Sequence, residues 1–207
     1  MAVMAMFPLG SVLLPGGVLP LHVFEPRFRQ MVIDILDQDG TPEFGQTLIL
    51  HGHEAGGGDD RAMVGTVAQM VQCEALDPQR YAMVAVGTRR IRVNAWLPDD
   101  PYPLADVDDW PDENPDPANL AIEVAATHAR VQAALRLAAE LGDVEIDPAE
   151  TEIADDPLVA TYHLAALSPI GPADRLRLLC AAGPAERLAV LDDVLDDVEA
   201  MLRFRLG

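Results

Sequence analysis

The hydrophobic pattern of this chain changes period once, and that change limits the fold more than any single motif. Up to about residue 107, apolar residues alternate or run in short blocks of strand length. Beyond residue 117 they recur about every 3.6 residues. Between the two regimes lie residues 108–117, DDWPDENPDP, too acidic and proline-rich to bury much surface. A strand-forming half followed by a helix-forming half predicts an α+β protein. The expected division is a β subdomain over 1–110, an acidic, proline-rich linker over 111–117 and a helical subdomain over 118–207.

Residues 7–36 carry the clearest punctuation. Met6, Phe7 and Leu9 are strand residues, Pro15-Gly16-Gly17 marks a turn, and residues 18–24 form a second extended run. Pro20 has no amide hydrogen to give a ladder, so this run belongs at an edge or in an irregular strand. Glu25-Pro26 opens a helix, since proline at the first helical position loses an amide that had no partner. Phe28, Met31, Val32, Ile35 and Leu36 form its apolar stripe, and Gly40 is placed to close it. Glu25 and Arg27 read as a helix cap and its ion-pair partner.

Further strands are expected over 44–50, 63–76, 80–87, 88–97 and 102–107, with a turn at 77–79. Gly65 predicts a bulge or a close backbone approach. In one alternating set Tyr81, Met83 and Ala85 are apolar, and in the other so are Ala82, Val84 and Val86. That predicts a sheet covered on both faces. Next, Ile91, Val93, Ala95 and Leu97 fall on one face, with Arg90, Arg92, Asn94 and Trp96 on the other. Short strands with a single helix predict a small, partly closed barrel.

In the second half, X-Pro pairs start each helix: Asp116-Pro117, Asp156-Pro157, Gly171-Pro172 and Gly183-Pro184. Leu120, Val124, Val131, Leu135 and Ala138 stripe the first. Leu188, Leu191, Leu195, Val198 and Leu202 stripe the last, with Asp192, Asp193, Asp196 and Asp197 on its solvent side. A compact helical bundle is expected.

Phe7-Pro8-Leu9, then Leu14-Pro15-Gly16, then Leu19-Pro20-Leu21-His22-Val23-Phe24-Glu25-Pro26-Arg27-Phe28 resembles the opening of the N-terminal, substrate-binding domain of Lon proteases. The runs over 63–70, 86–93 and 102–107 are similar to that family's later strands. The resemblance implies a PUA-like pseudo-β-barrel with one helix, followed by a C-terminal helical bundle. It also implies recognition of protein or unfolded polypeptide rather than proteolysis, as in free-standing members without ATPase or peptidase domains. A small-molecule or modified-ligand pocket in the barrel is the alternative, and RNA binding a further one.

Charge and composition narrow the chemistry. Fourteen basic against thirty-four acidic residues give a net charge of −20, which repels phosphate backbones and disfavours nucleic acid as a partner. All fourteen basic residues are arginine. That excludes a P-loop lysine, a Schiff-base lysine and a Ser–Lys dyad within this sequence. The two serines, Ser11 and Ser168, have no G-x-S-x-G context. His22, His128 and His163 read as packed or hydrogen-bonded side chains. His51, His53 and Glu54, near Asp59 and Asp60, sit in a glycine-rich loop without the rigid support a metal needs. No catalytic residue, metal or cofactor is therefore expected, and the chain reads as a non-enzyme. Cys73 and Cys180 read as buried thiols of a reducing cytoplasm. The longest apolar run, 12–24, is broken by proline and glycine and too short to span a bilayer. The candidate binding residues are Trp96, Arg90 and Arg92. A rigid aromatic among arginines is a hot-spot composition, expected at the rim of a cleft between barrel and bundle.

Overall fold

A computed structural model of the chain describes residues 2–54, 58–77, 79–114, 120–143 and 152–207. It divides into two compact units, Met1–Pro111 and Asp112–Gly207.

The first unit contains β1 (Ala2–Leu9), β2 (Val18–Val23), α1 (Pro26–Leu36), β3 (Glu43–His51), β4 (Asp60–Asp77), β5 (Arg80–Trp96) and β6 (Leu104–Asp109). β1 pairs in parallel with β3. The antiparallel pairs β3–β4, β4–β5, β5–β6 and β6–β1 complete a closed ring. β2 pairs with β5 alone, at the edge position its proline requires. Residues 80–87 and 88–97, expected as two strands, are one. Ala68 pairs with Gly87 and Val67 with Arg89, so Thr88 is an extra residue that bends β5 without ending it. The first part of β5 therefore carries β2, and the last part closes the ring through β6.

Two apolar clusters fill this unit. Phe28, Met31, Val32 and Ile35 of α1 pack with Phe7, Phe44, Met70, Met83 and Ala85 of the sheet. The rings of Phe7 and Phe28 stack at 4.1 Å. Leu36, expected in that stripe, is exposed. Eight residues of helix carry it about 80° past Phe28, beyond the packed face. Asp37 rather than Gly40 caps the helix, and Gly40 lies in the turn that follows. Inside the ring sits the second cluster: Met6, Val67, Ile91, Val93, Ala105 and Val107.

Buried polar side chains fix the connection from β1 to β2. Gly16 takes a φ of 83° in the turn that proline and glycine announce. Gln46, 1% exposed, accepts from the Leu13 amide at 2.8 Å and donates to the Ser11 carbonyl at 2.7 Å. Thr66 donates its hydroxyl to the Leu13 carbonyl at 2.6 Å. At Gly65 a Cβ would lie 2.3 Å from the Gln46 carbonyl oxygen, so this is a close backbone approach.

The second unit holds α2 (Leu120–Glu140), α3 (Pro157–Leu167), α4 (Pro172–Cys180) and α5 (Pro184–Leu206). Proline opens α3, α4 and α5, and Asp156 caps α3 by accepting from the Leu158 amide. The Asp116-Pro117 start lies outside the described residues. α5 packs against α2, α3 and α4, burying Leu188, Leu191, Leu195 and Leu202. Asp192, expected on the solvent side, accepts hydrogen bonds from Thr127 and Arg130 of α2. Arg187 of α5 is 0% exposed. It donates to Thr161, to the Tyr162 hydroxyl and to Asp112, stacking on the Tyr162 ring at 3.6 Å. Asp112, expected in a free surface linker, is thereby tied to the second unit. Cys180 ends α4 in an exposed position rather than a buried one, and Cys73 is half-buried. Among the described residues, no helix is long and apolar enough to cross a membrane.

Candidate functional site

The motif over residues 19–28 ends up at the open edge of the first unit. Antiparallel partners share a face of the sheet. Val18 pairs with Val86, Pro20 with Val84, and His22 with Ala82. On the far side of β5, Val84 pairs with Gln72 and Ala82 with Glu74 of β4. The opposite, inner face carries Leu19, Leu21, Val23, Met83 and Ala85, all packed in the α1 core. The double apolar set in 81–86 predicts cover on both faces, and the inner face has more of it, with Val23, Met83 and Ala85 buried and Leu19 and Leu21 half-buried. Ala82, Val84 and Val86 are half-buried, and Val18 and Pro20 are exposed. Phe24, 63% exposed, continues this apolar surface beyond β2. It borders one recess of about 190 Å³, which reaches Phe7 and Phe28, and another of about 380 Å³ at the β4–β5 end.

Trp96 lies elsewhere. Val93 pairs with Val107, Ala95 with Asp106 and Trp96 with Ala105, so Asn94 is an extra residue in β5. The alternation expected over 90–97 reverses there. Ala95 turns to solvent, and Trp96 packs partly against the cluster holding Ile91 and Val93. Its ring lies 4.9 Å from the Arg61 guanidinium. Arg61 is clamped between carboxylates, with Nε donating to Asp59 at 2.6 Å and Nη2 to Asp99 at 2.7 Å. Those hydrogen bonds, the one to Asp99 foremost, raise the Arg61 pKa above its ordinary value. Burial pushes the Asp59 carboxyl upward. The Arg61 hydrogen bonds and charge outweigh it and hold the carboxyl below the usual range. Next to this cluster is a solvent-open groove of about 630 Å³ that includes Trp96 and Met63.

Arg90 and Arg92 do not join Trp96. Their guanidinium groups lie over the Trp110 ring at 4.4 and 3.8 Å, with Arg90 buried and Arg92 exposed. The pair of arginines thus meets an aromatic, but a different one. Trp110 follows β6, and its amide donates to the Arg90 carbonyl. Nothing in strand periodicity announces that contact, because it joins residues from separate elements.

The model of the family described as the ATP-dependent protease La (LON) substrate-binding domain matches residues 3–197. The chain belongs to this family. It is similar to the crystal structure of a Lon N-terminal domain protein from Xanthomonas campestris, at 26% identity and a TM-score of 0.69. That match covers 92% of this chain and 97% of the other. The N-terminal domain of the Mycobacterium avium complex Lon protease has the same fold, at 18% identity and a TM-score of 0.66, covering 95% and 99%. No curated protein matches. Membership in the Lon substrate-binding family makes the chain a substrate-binding module in the general sense.

Several of the groups singled out for chemistry make structural contacts in this Lon-type domain. Glu25 pairs with Arg27 at 3.2 Å and forms no side-chain cap on α1. Arg27 also donates to the Glu54 carbonyl, and the Glu54 carboxylate accepts from the Gly10 amide. His51 lies 3.3 Å from Asp60 on the surface. Among the described residues, no three histidine, cysteine or acidic side chains gather to hold a metal. Ser168 donates to the Leu164 carbonyl, and His163 accepts from the Ala154 amide. His22 is exposed on the outer sheet face, and His128 is half-buried on α2.

Proposed function

We propose that this chain is a non-catalytic module that binds protein or unfolded polypeptide, acting as an adaptor, through the outer face of β2, β5 and β4. We read its closed ring with the added edge strand as a PUA-like pseudo-barrel, and its second unit as the family's helical bundle. One observation carries the binding reading. Val18, Pro20, Ala82, Val84 and Val86 form an apolar sheet face left exposed or half-buried, continued by Phe24. A contiguous apolar surface of this kind, rimmed by His22, Gln72 and Glu74, is the mark of a protein contact. Family membership points the same way. The reading of Ser168 as structural rather than nucleophilic is supported by its buried hydroxyl, which donates to the Leu164 carbonyl. A small-molecule pocket has weaker support. The recess of about 190 Å³ beside Phe7 is below the roughly 300 Å³ at which ligand pockets begin, and the larger recesses of about 380 and 630 Å³ are more open to solvent. RNA would face the repulsion of a −20 chain.

The test uses a reduced, carboxymethylated, permanently unfolded protein as client. Val18→Asp or Val84→Asp places a charge on the apolar face and should weaken binding about tenfold or more, with the circular dichroism spectrum retained. Unchanged affinity in folded variants would refute this surface.

A further inference from the structure

The groove beside Trp96 lies apart from that sheet face, and its chemistry differs. Leu50 and Met63 are exposed in it, 45% and 48%, and Trp96, Leu97 and Pro98 add to its apolar surface. Its charges are unbalanced. Among the described lining residues, Asp59, Asp60 and Asp99 face one arginine, Arg61, with the charge of Arg27 also reaching Asp59. Arg61 is also occupied: Nε and Nη2 donate to Asp59, and Nη1 and Nη2 donate to Asp99. An anionic ligand entering the groove would find that guanidinium already used by two carboxylates. A cationic one would find Asp60, whose side chain is 66% exposed with His51 3.3 Å from one of its oxygens, and the accessible part of Asp99. The volume, about 630 Å³, suits several side chains rather than one.

We propose that this groove binds an extended polypeptide segment in which arginine or lysine stands next to apolar side chains. The apolar side chains of the segment cover Leu50, Met63 and Leu97, and its cation meets Asp60 and Asp99. Exclusion of water by the first contact strengthens the second. The −20 charge of the chain adds long-range attraction for such a segment and repels acidic ones. The groove would therefore discriminate among clients by charge, which an apolar sheet face cannot do.

The experiment measures fluorescence anisotropy of two labelled short peptides with the full chain, one alternating leucine with arginine, the other leucine with glutamate. The basic peptide should bind about tenfold tighter at low salt, with the advantage shrinking at high salt. Asp60→Asn and Met63→Ser, at exposed side chains, should each weaken it about two- to fivefold without altering the circular dichroism spectrum. Ile122→Ser, at an exposed side chain of α2 outside both surfaces, should leave it unchanged. Three outcomes overturn the proposal. Equal binding of both peptides, or of neither, removes charge selection. Loss with Val84→Asp but not with the groove variants moves the peptide to the sheet face. Full competition by spermine at the peptide's own concentration shows that charge alone binds and the apolar contact is absent.

Discussion

Gln46 connects the β1–β2 loop to the ring through one buried side chain, and its substitution has a definite cost. Gln46→Ala leaves the Leu13 amide and the Ser11 carbonyl without their partners. The expected loss is about 2–3 kcal/mol of unfolding free energy, measured by urea denaturation. Tyr102 offers a second test. Burial first, then its hydrogen bond to Asp34 at 2.9 Å, push its phenol up to about 12. A raised value means that its contribution is complete below the ordinary pKa of 10.0 and is lost as pH rises towards 12. A spectrophotometric titration should show a late tyrosine component that Tyr102→Phe diminishes. Trp96 packs partly on the core, so Trp96→Ala should cost about 2–3 kcal/mol, below the range for a fully buried aromatic. That cost makes Trp96→Ala a poor probe of binding, and Met63 the better one.

At the scale of elements, the sequence was most legible where one residue type has one mechanical consequence. Pro20 marked the edge strand, the X-Pro pairs marked the starts of α1, α3, α4 and α5, and Gly65 marked the close approach. It was least legible along β5. Thr88 and Asn94 each add a residue to the ladder, and each reverses which side chains face inward. Neither residue type signals a bulge, so the simple alternation sent Trp96 to the wrong face. Arg187 was missed for a related reason. It stands on a helix beside an apolar stripe, and its partners come from α3 and from Asp112, far off in sequence. Arg187→Leu or Arg187→Met should test what that buried cation does. Removing it takes the buried cation and its hydrogen bonds from Asp112, Thr161 and Tyr162, so the expected loss is about 3 kcal/mol or more by denaturant unfolding.

For the molecule as a whole, family and general role follow from motifs that the first unit gathers at one edge. The proposed binding surface rests on cover that one sheet face lacks. Charge at this scale sets a background: −20 distributed over 207 residues opposes compaction. Added salt should raise Tm by a few degrees until the repulsion is screened. The most direct measurement of the central claim is a methyl NMR titration of the full chain with the carboxymethylated unfolded client. Val18, Val84 and Val86 methyl resonances should shift or broaden together, while Val12 and Val131, which are buried, stay in place. Perturbation confined to other methyls, with those of Val18, Val84 and Val86 unmoved at saturation, would contradict the account.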